Sequence, residues 1–218
     1  EALNAPRLGS IQYHPSLLPM HKGPSSINWP IIMGESRTGL SIFWPDQGLD
    51  TGPILLQKAV GIGSDDTLGS LYFNHLFPMG VAAMLEAVDL VREGRAPRIQ
   101  QDPAAGSYEG WCRSEDAHID WSKPLKTVYD LIRGCNPQPG AWTQYQGQKL
   151  TILDSAAEPS VSGTPGVVIE SDNKGIAVAA GEGAIRVQKL KLGGGKKLTA
   201  EEFLSELPLP AGTALGTE

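Results

Sequence analysis

The chain has 218 residues, enough to bury one large core or two modest ones. Its formal net charge is -6, and its only cation groupings, Lys189 with Lys191 and Lys196 with Lys197, argue against a dedicated nucleic-acid-binding face. No apolar run approaches the roughly 18 residues of a membrane helix; the two cysteines, Cys112 and Cys135, lack metal-like spacing and suit a reducing, cytoplasmic setting better than a disulfide framework. Residues 9–13 read as a strand that stops at a loop over 14–23. Ser25 or Ser26 can cap a short helix through Ile27, Trp29, Ile31 and Ile32, with Pro30 admissible only in its first turn. Residues 39–44 form a buried strand, 45–52 a Pro/Gly loop, and 53–60 a further strand at an edge. Asp65 or Asp66 then caps a long helix whose Leu68, Leu71, Tyr72, Leu76, Met84, Leu85 and Val88 keep a helical period, kinked by Pro78 and ended by Gly94.

Residues 95–110 form a Pro/Gly/Gln-rich connector, which divides the chain into 1–110 and 111–218. Beyond it, Ser122 is expected to cap a helix carrying Leu125, Val128, Leu131 and Ile132. Short strands follow over 141–145, 149–153, 167–170, 176–180 and 184–192, a pattern that suits a small β-barrel of the oligonucleotide-binding type. Thr199-Ala200-Glu201-Glu202 is a capping box for a last short helix, and the tail from Pro208 is expected to be loose. The five tryptophans read as core or interdomain packing, and Gly193-Gly194-Gly195-Lys196 as a hairpin turn, since it lacks phosphate-loop spacing.

Two loops carry chemistry. His14 closes the first strand and Asp50 lies in the loop after the next. The two strands are expected to be parallel neighbours, so that an imidazole and a carboxylate meet at their carboxyl ends as an acid/base pair. Alone, His14 is more often a loop residue and Asp50 before Thr51-Gly52 a turn former; it is the two together, in this order, that make a candidate. Gln12, two residues before His14, points to the same side of its strand.

The strings His14-Pro15-Ser16-Leu17-Leu18-Pro19 and Leu49-Asp50-Thr51-Gly52 resemble the formyltransferases that use 10-formyltetrahydrofolate, which read Asn-x-His-x-Ser-Leu-Leu-Pro and later Asp-x-Gly. In the second half, Ile119-Asp120-Trp121, Ile132-Arg133-Gly134-Cys135-Asn136-Pro137 and Pro165-Gly166-Val167 resemble the methionyl-tRNA formyltransferases. Ser26-Ile27-Asn28-Trp29, Ser41-Ile42-Phe43-Trp44 and Tyr108-Glu109-Gly110 are similar to the hydrolase domain of 10-formyltetrahydrofolate dehydrogenase. The resemblance implies an α/β, Rossmann-like catalytic domain followed by an OB-like barrel. Because the active-site strand falls within the first residues, the opening strands of that sheet are expected to lie outside this sequence.

The implied reaction moves a formyl group from 10-formyltetrahydrofolate to an amine, with initiator methionyl-tRNA the acceptor most resembled. Release to water as formate and formylation of a sugar amine are alternatives, as is a folate-binding regulatory domain without turnover. The implied catalytic residues are His14, Asp50 and Gln12. Ser16, Leu17, Leu18, Pro19, Pro45, Asp46, Gln47 and Gly48 are implied to contact the folate, with no metal required. Such a transfer passes through a tetrahedral oxyanion, which needs hydrogen-bond donors, while the attacking amine must lose a proton and the folate nitrogen gain one. The family's Asn is replaced here by Gln12, where the dehydrogenase-type hydrolase has an apolar residue; the retained carboxamide favours transfer. His21 and Lys22 either contact a polyglutamate tail or phosphate, or are a solvated loop. His75 and His118 read as packing or surface residues.

Overall fold

Three short strands build the sheet of the first half: β1 (Gln12–His14), β2 (Arg37–Phe43) and β3 (Ile54–Gly61), in the order β1-β2-β3. The computed structural model describes residue 3 and residues 5–216. Both pairings are antiparallel, with Gln12 opposite Phe43 and His14 opposite Ser41. The expectation that the strands delivering His14 and Asp50 run parallel is therefore corrected. The connection from β1 to β2 contains only α1 (Asn28–Ile32), five residues long with Pro30 in its first turn. A parallel return needs a crossover, usually a helix spanning the sheet, and no such helix intervenes.

Past its first residue β2 is buried throughout, while beyond Leu55 β3 alternates between half-buried and exposed positions, as suits an edge strand. Leu40, Ile42, Trp44 and Leu55 form the local core together with Ala83 and Ala87 of the following helix. That helix has three pieces: α2 (Leu68–Leu71), a π-helical turn over Tyr72–Leu76, and α3 (Phe77–Arg92). Thr67 caps α2 in a reciprocal box with Ser70, so neither Asp65 nor Asp66 is the cap; the Asp66 carboxylate instead accepts from Gly63 N–H and Ser70 Oγ. Pro78 falls in the first turn of α3, and just ahead of it the Phe77 N–H reaches back five residues to Tyr72 O. A proline that cannot donate is thus absorbed by a wider turn rather than by a kink in a continuous helix.

Phe73 of the π-helical turn and Phe77, Val81 and Leu85 of α3 are exposed. Tyr13, Tyr72, Phe77, Val81, Met84 and Leu85 line an apolar groove of about 390 Å³ there. Tyr13 points to the opposite side of β1 from His14, so this groove is separate from the acid/base pair. Burial of the Tyr13 phenol, with Tyr72 beside it, pushes its pKa up to about 12.

The chain divides into two compact units, one comprising the described residues up to Pro30 with Glu35–Trp111, the other Ile31–Gly34 with the described residues from Cys112 onward. A single 3-10 turn (Pro103–Ala105) interrupts the connector. The second unit contains α4 (Leu125–Gly134), β4 (Trp142–Tyr145), β5 (Gln148–Glu158), β6 (Val168–Asp172), β7 (Gly175–Ala179), β8 (Ala184–Leu192), β9 (Leu198–Thr199) and α5 (Ala200–Glu206). Pairing runs β4-β5-β8-β7-β6, all antiparallel, with β9 on β8. Its core takes Ile119, Trp121, Val128, Ile132, Ile152, Ile176, Ile185 and Phe203.

Thr199 caps α5 as the box motif predicts, whereas α4 is opened by Pro124 and the Ser122 hydroxyl binds Asp120 instead. The tail is packed rather than loose: Leu209 and Leu215 are buried and Ala214 bridges Val167, with only residues 217 and 218 outside the described residues. Trp111 is 64% exposed, so it is not a core residue. No helix among the described residues is long and apolar enough to cross a membrane.

Candidate active site

His14 is the last residue of β1 and is buried. Asp50 lies seven residues beyond the end of β2 and is also buried, with a left-handed backbone (φ 54°) that Asp tolerates better than most side chains. Antiparallel pairing carries the chain from Phe43 away past Gln12, and the loop over 44–52 folds back to return Asp50 to His14. His14 Nδ1 stands 3.6 Å from Asp50 Oδ2, an ion-pair distance longer than a hydrogen bond. His14 Nε2 lies 2.8 Å from the carbonyl oxygen of His21, to which it can donate. With Nε2 donating there, Nδ1 is the nitrogen that shares its side of the ring with the carboxylate. A proton can thus be held or passed on at Nδ1 and at Asp50 side by side.

The surroundings fix both groups. Gly23 N–H donates to Asp50 Oδ2 at 2.9 Å, and Gly23 has φ 106°, with any added Cβ falling 2.4 Å from the carbonyl oxygen of Glu109. Only glycine fits that position. Gln101 Nε2 donates to the carbonyl oxygens of Asp50 and Gly52, at 2.9 and 2.7 Å, and so pins the far end of the loop. Gly52 packs against the Trp44 carbonyl, where a Cβ would stand only 1.8 Å away. These contacts hold the Asp50 loop beside His14.

The residues implied to contact a folate fall into two groups. Ser16 and Leu18 are buried: Ser16 Oγ donates to Met20 O at 2.6 Å, while Leu18 packs with Phe43 and Ile54. Leu17 and Pro19 are half-buried. The loop is tied to the sheet by the Ser41 hydroxyl, which donates to Ser16 O and accepts from Leu18 N–H, and by Gln57 Nε2, which reaches both Leu18 O and Ser41 Oγ. In the second group Pro45 is half-buried, while Asp46, Gln47 and Gly48 are exposed beside Asp50 in sequence. Asp46 Oδ1 accepts from Gly48 N–H and Thr51 Oγ1, which closes this loop on itself. Gln12 is exposed at the start of β1, on the His14 side of the strand by alternation.

His21 departs from both expectations for it. It is buried, neither solvated nor open to a ligand, and its ring lies between two carboxylates: Nδ1 is 3.0 Å from Glu109 Oε2 and Nε2 is 2.9 Å from Glu35 Oε1. Glu35, Gln101 and Gln57 carried no signal in the sequence, and Ser41 and Glu109 stood only within family-like strings with no role attached; the roles of all five are supplied by the fold. The connector over 95–110, read as a domain boundary, supplies two of these five residues. The segment is structured: Ile99 bridges Ile54 and Tyr108 bridges Lys22.

Comparison with known proteins covers both halves. The family "Formyl transferase" matches residues 1–88, and "Formyl transferase, C-terminal domain" matches residues 112–208. The mitochondrial 10-formyltetrahydrofolate dehydrogenase of Homo sapiens is 41% identical over 217 residues, which is 94% of this chain but 23% of that protein. The chain thus spans about a quarter of the length of such dehydrogenases. The methionyl-tRNA formyltransferase of Syntrophus aciditrophicus (strain SB) is 40% identical over 98% of this chain and 69% of its own length. Among solved structures, HypX from Aquifex aeolicus in complex with tetrahydrofolic acid superposes with a TM-score of 0.76 at 21% identity, covering 90% of this chain and 35% of that one.

Proposed function

The chain belongs to the formyl transferase family, and on that premise we propose that it takes the formyl group of 10-formyltetrahydrofolate and passes it to an amine, with the amino group of initiator methionyl-tRNA as acceptor. The observation that carries this reading is the buried His14–Asp50 contact beside an exposed, self-tied loop. A protonated His14 can donate from Nδ1 to the developing oxyanion or to the leaving nitrogen. Asp50 can take the proton of the attacking amine and steady the charge on the ring. Gln12 can add a carboxamide N–H to the same oxyanion from the exposed end of β1. The folate would lie along Pro45, Asp46, Gln47 and Gly48, whose backbone is pre-set by Asp46 and Gln101, with Ser16, Leu17, Leu18 and Pro19 as the opposite wall. Pre-set amides of this kind fit the edge of a pterin, and HypX of the same fold was solved with tetrahydrofolic acid.

A second reading has water as the acceptor, with formate as product. The identity to the 10-formyltetrahydrofolate dehydrogenases, 41 to 46% against 40% for the tRNA enzyme, supports it. The two separate in one experiment: the protein is mixed with 10-formyltetrahydrofolate with and without charged initiator tRNA. Formylated methionyl-tRNA supports transfer; formate without an acceptor identifies a hydrolase; no consumption under either condition leaves a binding module. Gln12→Leu sharpens the result, because losing one oxyanion donor typically costs about 10²–10³ in turnover. Transfer to the amine should fall by that order, release of formate should fall less, and Gln12→Asn should be tolerated.

A further inference from the structure

The His14–Asp50 pair leans on one short segment, Met20 to Gly23, from two sides. The carbonyl oxygen of His21 takes the Nε2 proton of His14, and the N–H of Gly23, two residues on, donates to Asp50. Whatever fixes this segment therefore fixes the tautomer and tilt of His14 and the position of the Asp50 carboxylate together. Its backbone runs alongside residues 107–109: Lys22 N–H donates to Ser107 O, Glu109 N–H to Lys22 O, and Ser107 N–H to Pro19 O.

The side chain of His21 completes the attachment. At φ 53° its backbone is left-handed, a region that His, Asn and Asp enter more readily than other side chains. Its ring is 4% exposed and wedged between Glu35 and Glu109, one carboxylate at each nitrogen. A carboxylate accepts and does not donate, and a neutral imidazole carries a single N–H. Both contacts are donated only by the doubly protonated ring, which then sits in two charge-assisted bonds. The backbone N–H of His21 donates to Ser107 Oγ as well.

We infer that His21 is a positioning residue for the reaction proposed above: its ring, clamped by Glu35 and Glu109, holds its own carbonyl against His14 Nε2 and turns Nδ1 toward Asp50. The inference rests on that functional reading for its kinetic consequence, though not for its geometry. It acts on the step in which protons move, so it bears on kcat and leaves binding of the formyl donor largely untouched.

His21→Asn is the test, since Asn accepts a left-handed backbone but cannot span both carboxylates. In the wild-type protein with 15N-labelled histidine, the His14 Nε2–H should give a resolved, slowly exchanging signal. In the variant that signal should broaden or shift, and kcat for consumption of 10-formyltetrahydrofolate should fall at least tenfold with KM changed less than twofold. Should His21→Asn fail to fold, Glu109→Gln weakens the same clamp from the far side and should lower kcat severalfold with the same change in the His14 signal. A folded variant with an unchanged Nε2–H signal, or with wild-type kcat, overturns the inference. If the wild-type protein consumes no formyl donor, the functional reading fails and the His14 signal alone decides whether His21 positions it.

Discussion

Replacing Asp50 by Asn removes a charge and little else. The side chain keeps its size, an oxygen remains to accept the Gly23 N–H, and Asn tolerates the left-handed backbone found at this position. What is lost is the attraction between the carboxylate and a protonated His14 across 3.6 Å, with both groups buried. At an effective dielectric of about 20, two unit charges at that separation attract by roughly 4–5 kcal/mol. If His14 carries its proton when the formyl carbon is attacked, losing most of that attraction slows turnover by about 10³, within the range of about 10²–10⁴ attributed to positioned acid/base groups. Folate affinity should change little, because the charge acts on the proton-moving step. Steady-state kinetics, following release of tetrahydrofolate by absorbance, give kcat and KM separately. Asp50→Ala is the companion: it strands the Gly23 N–H and should in addition cost about 1–3 kcal/mol of stability, read by denaturant unfolding. An Asp50→Asn protein that keeps a third or more of the parent kcat would refute the reasoning.

Three further outcomes are expected. Ser41→Ala leaves the buried Leu18 N–H without its acceptor and should destabilise the protein by about 1–3 kcal/mol, seen as a lower denaturant midpoint. Tyr13→Phe should be neutral or slightly stabilising, because the phenol oxygen is buried without a hydrogen-bond partner among the described residues. In the parent, the folded phenol titrates at about 12 against an ordinary value of about 10. Its contribution to stability is complete below pH 10 and is lost as pH rises through 12, and the absorbance change of ionisation at 295 nm should show the late step only before the Phe replacement. The Sγ atoms of Cys112 and Cys135 lie 3.9 Å apart; the hydrogen bond from Cys135 pulls the Cys112 thiol below its ordinary range, while that contact and burial push Cys135 up. Iodoacetamide at neutral pH should therefore modify Cys112 well before Cys135, as mass spectrometry of the peptides would show.

Local chemistry was enough to mark two candidate residues, which the fold then brings side by side. His14 before Pro15 and Asp50 before Thr51-Gly52 were legible because strand ends and turns have residue signatures. The short strands of the second half were legible too, since alternation and glycine breaks are properties of a few consecutive residues. Thr199 with Glu202 behaved likewise, as both partners of a capping box lie within one turn. Strand direction was different. Its one trace within residues 12–43 is the connection itself, whose five-residue helix is too short for the crossover that a parallel return needs. The clamp on His21 was also invisible, since Glu35 and Glu109 stand 14 and 88 residues away and no local spacing ties either to His21. The same holds for Gln101, which lies in a connector that reads as a linker and grips Asp50 and Gly52 from 51 and 49 residues away. The sequence by itself determined which side chains can move a proton; only tertiary packing decided which nitrogen of His14 faces Asp50, because hydrogen bonds between distant residues follow from the folded backbone and leave no period or spacing to read.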